Sequence, residues 1–242
     1  MTALEINSLD VRHGQLKAVR SISFSIEKGE VVALIGANGA GKTTLLRAIA
    51  GAHKLTSGSI LLKGIDITDL AAHQRVAAGL ALVPEGRKLF TDMTTQENLQ
   101  LGATVSRAGG WSVDKIFEIF PNLQRHRHAK TGNMSGGEQQ ATAIGRALMS
   151  NPEVLILDEV SLGLSPLVVD QVYASLATLI QTGTTIILVE QDLSRAMKVA
   201  SRAICMLEGE IVLDKKMSEV SREQITDAYF GLAKIKNIAV EQ

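Results

Sequence analysis

Short apolar runs divide this chain into strands of two kinds. Over residues 21–26, serines alternate with isoleucine and phenylalanine, and this period of two predicts a strand with one buried face. Residues 31–35, 154–157 and 184–189 form continuous, mainly apolar runs, which are typical of parallel strands buried on both faces. The pattern therefore predicts strands and tight turns near the N-terminus and a parallel sheet through the rest of the chain.

Two helices have recognisable ends. Residues 42–50 predict a helix that Gly51 terminates. Residues 166–180 carry an apolar stripe at helical spacing, with Ser165 as the expected N-cap and Pro166 at the first helical position. Both helices follow predicted strands, so strand and helix alternate along the chain.

From about residue 91 to residue 150 the apolar spacing changes to a helical pattern. The whole pattern predicts an α/β fold with a mostly parallel sheet, an N-terminal antiparallel β subdomain and an inserted α-helical subdomain. We expect a single domain over residues 1–242. Its core would comprise residues 1–87 and 152–242, and its helical subdomain residues 88–151.

Composition narrows the possible functions. Lys plus Arg equals Asp plus Glu at 25 each, so the chain has no overall basic charge for non-specific binding of nucleic acid. The single cysteine, Cys205, excludes an internal disulfide framework and indicates a reducing compartment. No signal peptide is visible, and no apolar run approaches the ~20 residues that a membrane span requires. We expect a protein that does not cross a bilayer by itself.

Residues 36–44, here called the phosphate loop, satisfy the pattern G-x-x-x-x-G-K-[ST] between a predicted strand and a predicted helix. Gly36, Gly39 and Gly41 let the backbone turn so that successive N–H groups point into one cavity. The helix N-terminus adds its positive dipole end. A purely structural glycine-rich turn is the alternative. The candidate nucleotide-binding residues are Gly36, Ala37, Asn38, Gly39, Ala40, Gly41, Lys42, Thr43 and Thr44.

Side chains directly after this loop and side chains at the end of a later strand have complementary roles toward a bound nucleotide. Lys42 supplies charge to the β- and γ-phosphates, and Thr43 offers a hydroxyl to Mg²⁺. The strand of residues 154–157 ends in Asp158 and Glu159, and parallel sheets bind ligands beyond the carboxyl ends of their strands. We expect Asp158 to meet the Mg²⁺ and Glu159 to polarise an attacking water. The alternative is an ordinary acidic helix start.

Another predicted helix is preceded by Ser135, Gly136 and Gly137. These three residues are here called the signature segment. Serine is a favourable N-cap, and the two glycines leave N–H groups bare at the helix start. This arrangement predicts a second anion site made of backbone and helix dipole, with a simple cap and turn as the alternative.

The order of phosphate loop, signature segment and Asp158-Glu159 resembles the ATP-binding subunits of ABC transporters over essentially the whole chain. The resemblance implies a P-loop NTPase core of RecA-like fold, with ATP and Mg²⁺ as ligands. It also implies a working pair of ATP-binding subunits, either two copies or a copy and a related paralogue. In such a pair, the signature segment of one subunit closes over the ATP of the other. Separate transmembrane permease subunits would hold the pair at the cytoplasmic face of the cell membrane.

Several positions depart from the common family pattern. His13 takes the place of the adenine-stacking aromatic residue, although a surface turn histidine is the alternative. Glu85 replaces a glutamine and could bind Mg²⁺ more strongly than an amide. Gln191 replaces the switch histidine and can donate to a γ-phosphate without titrating near neutral pH. Val160 replaces a proline after the acidic pair, and Ser165 replaces an aspartate in the loop that contacts the partner subunit.

The sequence strings around these departures look like one branch of the family, the ATPase subunits of branched-chain amino-acid importers. They are Val-Pro-Glu-Gly-Arg, Met-Ser-Gly-Gly-Glu-Gln-Gln and Leu-Val-Glu-Gln. The resemblance implies an ATPase that works with permease subunits and, indirectly, a solute-binding protein. The catalytic candidates are Lys42, Glu159 and Gln191, and the metal candidates are Thr43, Glu85 and Asp158.

The sequence also allows alternative solutes and alternative classes of nucleotide-binding protein. The solute could instead be urea, an amide or another class of amino acid, because the solute touches other subunits. An ABC-type ATPase acting on nucleic acid or ribosomes is disfavoured, since no long coiled coil or basic linker is present, and we expect no nucleic-acid partner. A P-loop kinase or GTPase is disfavoured by the signature segment and by the lack of an Asn-Lys-x-Asp string.

Overall fold

A computed structural model describes residues 1–105 and 107–232, and within them the strands form two sheets. The strands are β1 Thr2–His13, β2 Leu16–Glu27, β3 Val31–Ile35, β4 Ser57–Leu62, β5 Ile65–Asp66, β6 Leu80–Val83, β7 Val154–Asp158, β8 Thr185–Val189, β9 Arg202–Leu207 and β10 Glu210–Lys216.

Helices connect these strands and also fill the stretch between β6 and β7. The α-helices are α1 Lys42–Ile49, α2 Ala72–Ala78, α3 Thr95–Gly102, α4 Val113–Ile119, α5 Gly136–Leu148, α6 Pro166–Gln181, α7 Leu193–Val199 and α8 Arg222–Phe230. Short 3₁₀ turns lie at Ala103–Val105, Pro121–His126, Thr131–Asn133 and Met217–Glu219.

The larger sheet is parallel except at one edge. Its strand order is β10-β9-β3-β8-β7-β6, and only β10 runs antiparallel to its neighbour. Every residue of β3, β7 and β8 is buried, as the apolar runs predict. Because β3 and β7 flank β8, their carboxyl ends lie at the same edge of the sheet and bring the segments that follow them together.

The smaller sheet is antiparallel, with the order β2-β1-β4-β5. In β2 the alternation of serines with Ile22, Phe24 and Ile26 becomes an alternation of exposed and buried side chains. These buried residues share one apolar core with α1 and with one face of the larger sheet. The antiparallel sheet therefore covers the helix that follows the phosphate loop.

The other apolar core joins the second face of the larger sheet to α3, α4 and α5. Thr94 and Ser112 cap α3 and α4 by accepting hydrogen bonds from backbone N–H groups of the first turn. Buried Asn98 bonds the backbone around Phe90 and so ties α3 to the preceding loop. The predicted fold is confirmed, while the exact subdomain limits at residues 88 and 151 stay a prediction.

The N-terminus of α6 has the predicted residues. Ser165 occupies the N-cap position and Pro166 follows it, so this prediction is confirmed. The Ser165 side chain makes no capping hydrogen bond. Pro166 itself has no N–H group and needs no acceptor, so this helix start depends less on a side-chain cap.

Across the part of the chain that the structure describes, no helix has both the length and the apolar character needed to cross a membrane. The predicted core position of Cys205 is confirmed, since the residue is buried on β9. Burial also raises the pKa of its thiol to about 12, so this cysteine is not a reactive thiolate at neutral pH.

Candidate active site

The phosphate loop lies between β3 and α1, and its glycines serve two different purposes. Gly39 and Gly41 have φ values of +85° and +99°, which side chains rarely tolerate. Gly36 does not have a positive φ, but a Cβ there would collide with the backbone oxygen of Met206 on β9. Gly36 is therefore required for close packing against β9 and not for a positive φ.

Lys42, the first residue of α1, folds back over the phosphate loop. Its Nζ donates to the carbonyl oxygens of Gly36 at 2.6 Å and Ala37 at 3.1 Å. Burial lowers the pKa of the ammonium group, while the negative charges of Glu159 and Asp158 act in the opposite direction. The lysine is therefore held over the loop by weak neutral acceptors that a phosphate group can replace.

Asp158, at the end of β7, is a buried carboxylate that lacks a partner. It is 4% exposed, and its Oδ1 accepts no hydrogen bond from any residue of the described chain. Burial raises its pKa to about 6, with the negative charges of Glu159 and Glu85 adding to the effect. A buried oxygen among like charges fits a cation, so the donor set of Thr43, Glu85 and Asp158 suits Mg²⁺.

Glu159 and Gln191 meet across the ends of β7 and β8. The Nε2 of Gln191 donates to Oε2 of Glu159 at 2.9 Å, and the backbone N–H of Glu159 donates to the oxygen of Val189 at 3.0 Å. Glu159 itself has a φ of +48°, an uncommon conformation for a residue with a side chain. The two residues are 32 positions apart in sequence, so only the packing of β7 beside β8 brings them together.

One cavity of about 670 Å³ joins most of the predicted residues. The residues that line it are His13, Leu16, Ala18, Asn38, Gly39, Gly41, Lys42, Thr43, Thr44, Glu85, Glu159, Leu162 and Gln191.

Sequence reasoning did not single out three of these lining residues, Leu16, Ala18 and Leu162. Leu16 and Leu162 are apolar but 65% and 46% exposed, a property that only the structure reveals. Among the predicted residues, Ala40 and Asp158 are buried outside the cavity lining. Gly36 and Ala37 contribute backbone oxygens to Lys42 rather than surface to the cavity.

His13 lies at the rim of this cavity and is held on two sides. Its Nε2 is 3.2 Å from the hydroxyl of Thr44, and its ring lies 4.3 Å from the ring of His53. His53 in turn contacts the carbonyl oxygen of Arg12 through its own Nε2 at 3.0 Å. The imidazole of His13 is therefore held by Thr44 and His53 where it lines the cavity, and the sequence alone did not indicate the contribution of His53.

The signature segment lies elsewhere, along a separate cavity of about 340 Å³. Ser135 is the N-cap of α5, and its hydroxyl and N–H both bond Glu138. Arg125 and His126 contact the same carboxylate at 3.2 Å and 3.0 Å. The signature segment thus forms a well-capped N-terminus of α5, but it does not line the cavity of its own phosphate loop.

The two glycines of the signature segment are required by packing. A Cβ on Gly136 would lie 2.8 Å from the side chain of Leu164, and a Cβ on Gly137 would collide with Val168 of α6. Arg87, two residues after Glu85, approaches the same helix and donates to Oε1 of Gln139 at 3.0 Å. The loop that carries Glu85 is therefore bonded directly to α5.

The parallel sheet with a lysine-bearing glycine loop between β3 and α1 defines the class of P-loop nucleotide-binding proteins. A family model described as ABC transporter matches residues 19–161. The chain therefore belongs to the ABC transporter family, and the family predicted from the sequence is confirmed.

Two relatives illustrate the similarity within this family. The chain is 40% identical over 231 residues to the high-affinity branched-chain amino acid transport ATP-binding protein BraG of Pseudomonas aeruginosa, covering 94% of this chain and 99% of that protein. It is 32% identical over 215 residues to the LivF protein of Archaeoglobus fulgidus, which is described as a probable branched-chain amino acid transport ATP-binding protein. That alignment covers 88% of this chain and 91% of LivF.

A solved structure shows the same architecture. The crystal structure of a nucleotide-free ATP-binding cassette from an ABC transporter matches with a TM-score of 0.80 and 26% identity. The match covers 94% of this chain and 95% of that one. The fold of this chain is therefore that of an ATP-binding cassette.

Proposed function

We propose that this chain is the ATP-binding and ATP-hydrolysing subunit of an ABC importer for branched-chain amino acids. The observation that carries the proposal is the cavity that places Lys42, Glu85 and the Glu159–Gln191 pair around one phosphate loop. This arrangement has the parts that phosphoryl transfer requires, namely a phosphate cradle, a cation site and a group that orients water.

Nucleotide binding depends on the loop and on Lys42. The N–H groups around Gly39 and Gly41 surround the phosphates, and Lys42 leaves its two carbonyl acceptors to bind the β- and γ-phosphates. Thr43, Glu85 and Asp158 would hold Mg²⁺, which when bound neutralises phosphate charge. His13 and Leu16 lie at the rim and contact the base.

Hydrolysis depends on Glu159. Its carboxylate accepts a proton from a water whose oxygen attacks the γ-phosphorus, and ADP leaves. The amide of Gln191 holds that carboxylate in place, and its remaining donor capacity is directed to the γ-phosphate. Because an amide does not titrate near neutral pH, this partner keeps the same hydrogen-bonding character across the physiological range.

The signature segment supplies the second half of the site in a partner subunit. It lines a cavity of its own instead of the phosphate-loop cavity, which supports its action on the nucleotide of another ATP-binding subunit. That subunit is a second copy or a related paralogue. ATP then joins two subunits, and its hydrolysis releases them.

The descriptions of two relatives support the proposed solute. BraG and LivF are described as branched-chain amino acid transport proteins, and they align over nearly the whole chain. We therefore assign branched-chain amino acids as the solute, transmembrane permease subunits and a solute-binding protein as partners, and the cytoplasmic face of the membrane as the location. Urea, amides or another amino-acid class are the competing solutes.

Replacing Glu159 with Gln tests the enzymatic part of the proposal. The variant should bind ATP as the unchanged protein does, because the amide removes only the proton acceptor. Its turnover should fall at least ~100-fold, and an ATP-dependent dimer should accumulate in size-exclusion chromatography. Glu118→Gln, which makes the same change on an exposed position of α4, is the control and should leave turnover unaffected.

A transport assay tests the solute. The chain is co-expressed with its membrane partners and binding protein, reconstituted in vesicles, and supplied with leucine, urea or acetamide. ATP-dependent uptake of leucine supports the assignment. Uptake of urea or acetamide alone would overturn the solute while leaving the ATPase intact, and normal turnover by the Glu159→Gln variant would overturn the role of Glu159.

A further inference from the structure

A second buried carboxylate lies next to the active site without lining its cavity. Glu190 follows β8 directly, and its residue is 2% exposed. The N–H group of Ser161 donates to its Oε1 at 3.2 Å, and the hydroxyl of Ser161 donates to its Oε2 at 2.6 Å. Ser161, which lies two positions after Glu159, therefore donates to both oxygens of Glu190.

This pair of hydrogen bonds belongs to a continuous contact between two chain segments. Residues 189–191, at the end of β8, bond residues 159–161, at the end of β7, through four hydrogen bonds. Val189 and Gln191 bind the backbone and the side chain of Glu159. Glu190 binds Ser161 between them, so consecutive residues of one segment hold both ends of the opposite turn.

The turn needs such a constraint. Glu159 has a φ of +48°, and a left-handed conformation is unfavourable for a residue with a side chain unless its surroundings impose it. Val160, the next residue, has no ring to restrict the backbone and is buried at 1% exposure in the apolar core. Ser161 is therefore the first residue after Glu159 whose polar groups fix the path of the chain.

Besides Ser161, the phenol of Tyr173 is a polar neighbour of Glu190. Burial and the negative charge of Glu190 raise the pKa of nearby Tyr173, whose phenol therefore stays protonated. The charged Arg195 is engaged with Asp170 at 3.2 Å and Asp192 at 3.0 Å. In the described chain, no lysine or arginine forms an ion pair with Glu190, so the serine is not competing with a cation.

We infer that Glu190 is a positioning residue, which holds Ser161 and thereby fixes the carboxylate of Glu159 opposite Gln191. The inference rests on the proposed function, because it assigns the hydrolytic step to Glu159. Glu190 lies outside the nucleotide cavity, so it acts on turnover and not on nucleotide affinity. The same contact sets the starting point of residues 161–165, which lead to α6.

Ser161 and Glu190 are tested by measuring kcat, the KM for ATP and the affinity for ATP in three variants. Ser161→Ala removes the shorter hydrogen bond, and Glu190→Gln places an amide where two donors converge. Both should lower kcat about tenfold with KM and affinity changed less than twofold. The double variant should lose no more than the worse single variant, and Ser161→Thr, which keeps the hydroxyl, should restore turnover.

Ser150→Ala is the matched control, because Ser150 is 3% exposed and its hydroxyl also makes one internal hydrogen bond, to Ala147 at 2.7 Å. It should leave kcat unchanged. Equal losses of kcat in Ser161→Ala and Ser150→Ala would show a general loss of folded protein and overturn the inference. A parallel change in ATP affinity would overturn it as well.

Amide hydrogen exchange separates this inference from the proposed function, since it requires no turnover. In Ser161→Ala the N–H of Glu159, which donates to Val189, should exchange at least tenfold faster, while amides of β3 stay unchanged. If the unchanged protein did not hydrolyse ATP, the proposed function would fail while this readout still tested the contact. Unaltered exchange at Glu159 would refute the positioning role.

Discussion

The phosphate loop and the signature segment both place glycines before a helix, yet the structure uses them differently. In the phosphate loop, Gly39 and Gly41 adopt backbone conformations with positive φ. In the signature segment, Gly136 and Gly137 lie where a side chain would strike Leu164 or Val168. The phosphate loop therefore needs glycine for positive φ and, at Gly36 and Gly41, also for close approach to backbone, whereas the signature segment needs it for close approach alone.

The two regions also differ in how they hold their charged groups. Lys42 bonds only neutral carbonyl oxygens, and Asp158 has a buried oxygen without a partner among the described residues. Glu138, beside the signature segment, is bonded by Ser135 and Arg125. The charged groups at the phosphate loop are thus available to a ligand. At the signature segment the charged side chain is already hydrogen-bonded, and only backbone N–H groups are available to a ligand.

Removing the positive charge of Lys42 from the phosphate loop should cause the largest change, a loss of ATP affinity. Lys42→Ala should weaken ATP binding at least ~100-fold, since charge-assisted hydrogen bonds contribute ~1.5–3 kcal/mol each and Lys42 makes more than one. Isothermal titration with ATP measures the loss. Lys28→Ala, an exposed lysine in the turn before β3, is the control. Unchanged affinity in Lys42→Ala would remove the phosphate-binding role of this loop.

Alanine at equivalent glycines should separate the two uses of glycine. Gly41→Ala should destabilise the protein by about 2 kcal/mol or more and abolish ATP binding, because its φ of +99° stays unfavourable in any surroundings. Gly137→Ala should cost about 1–3 kcal/mol through overpacking against Val168. Urea unfolding measures both changes.

A substitution of Val168, the neighbour of Gly137, tests whether close packing is the reason for this glycine. Val168→Ala makes room for the new methyl group, so the double variant Gly137→Ala with Val168→Ala should recover most of the lost stability. No substitution of a neighbour should rescue Gly41→Ala. If the double variant stayed as unstable as Gly137→Ala alone, close packing would not be the reason for this glycine.

The pH dependence of stability should have opposite signs in the two regions. The pKa of Asp158 is about 6 in the folded protein against 3.8 for an ordinary aspartate, so the folded state binds more protons between these values. Its contribution to stability is therefore present below pH 4 and lost as pH rises to about 6. The maximum loss is about 3 kcal/mol. Asp158→Asn should remove this slope from the free energy of unfolding of the metal-free protein.

Glu138 should behave in the opposite way. Burial alone would raise its pKa, but the hydrogen bonds from Ser135 and Arg125 outweigh burial and lower it. Its contribution to stability is present above the ordinary glutamate pKa and is lost as pH falls through the lowered value. Glu138→Gln should therefore reduce the loss of stability in acid. Slopes of the same sign at both carboxylates would contradict the comparison.

The smallest change in stability should come from breaking the hydrogen bond between Arg87 and Gln139, which links the two regions. Arg87 donates to Gln139 of α5, and the Glu85 that it follows lines the nucleotide cavity. A double-mutant cycle of Arg87→Ala and Gln139→Ala should give a coupling energy of about 1 kcal/mol in urea unfolding. Strictly additive effects would show that this bond does not join the loop to the helix.

Much of the fold could be predicted from local patterns. The alternation before residue 27, the apolar runs of β3, β7 and β8, and the ends of α1 each appear within a few neighbouring residues. The phosphate loop and the Asp158-Glu159 pair were recognisable for the same reason. The N-cap position of Ser165 was also predicted correctly, but whether its side chain turns toward its own helix depends on contacts outside the local sequence.

The amino-acid sequence by itself determined the elements, the family and the chemical groups of the candidate site. Tertiary structure decided which groups meet: Gln191 with Glu159, Ser161 with Glu190, His13 with His53, and Gly36 with the backbone of Met206. These partners are separated by 29 to 170 positions in sequence. Secondary structure follows from hydrogen bonds and periodicity within a few residues, whereas such distant contacts exist only after the sheet has set its strand order.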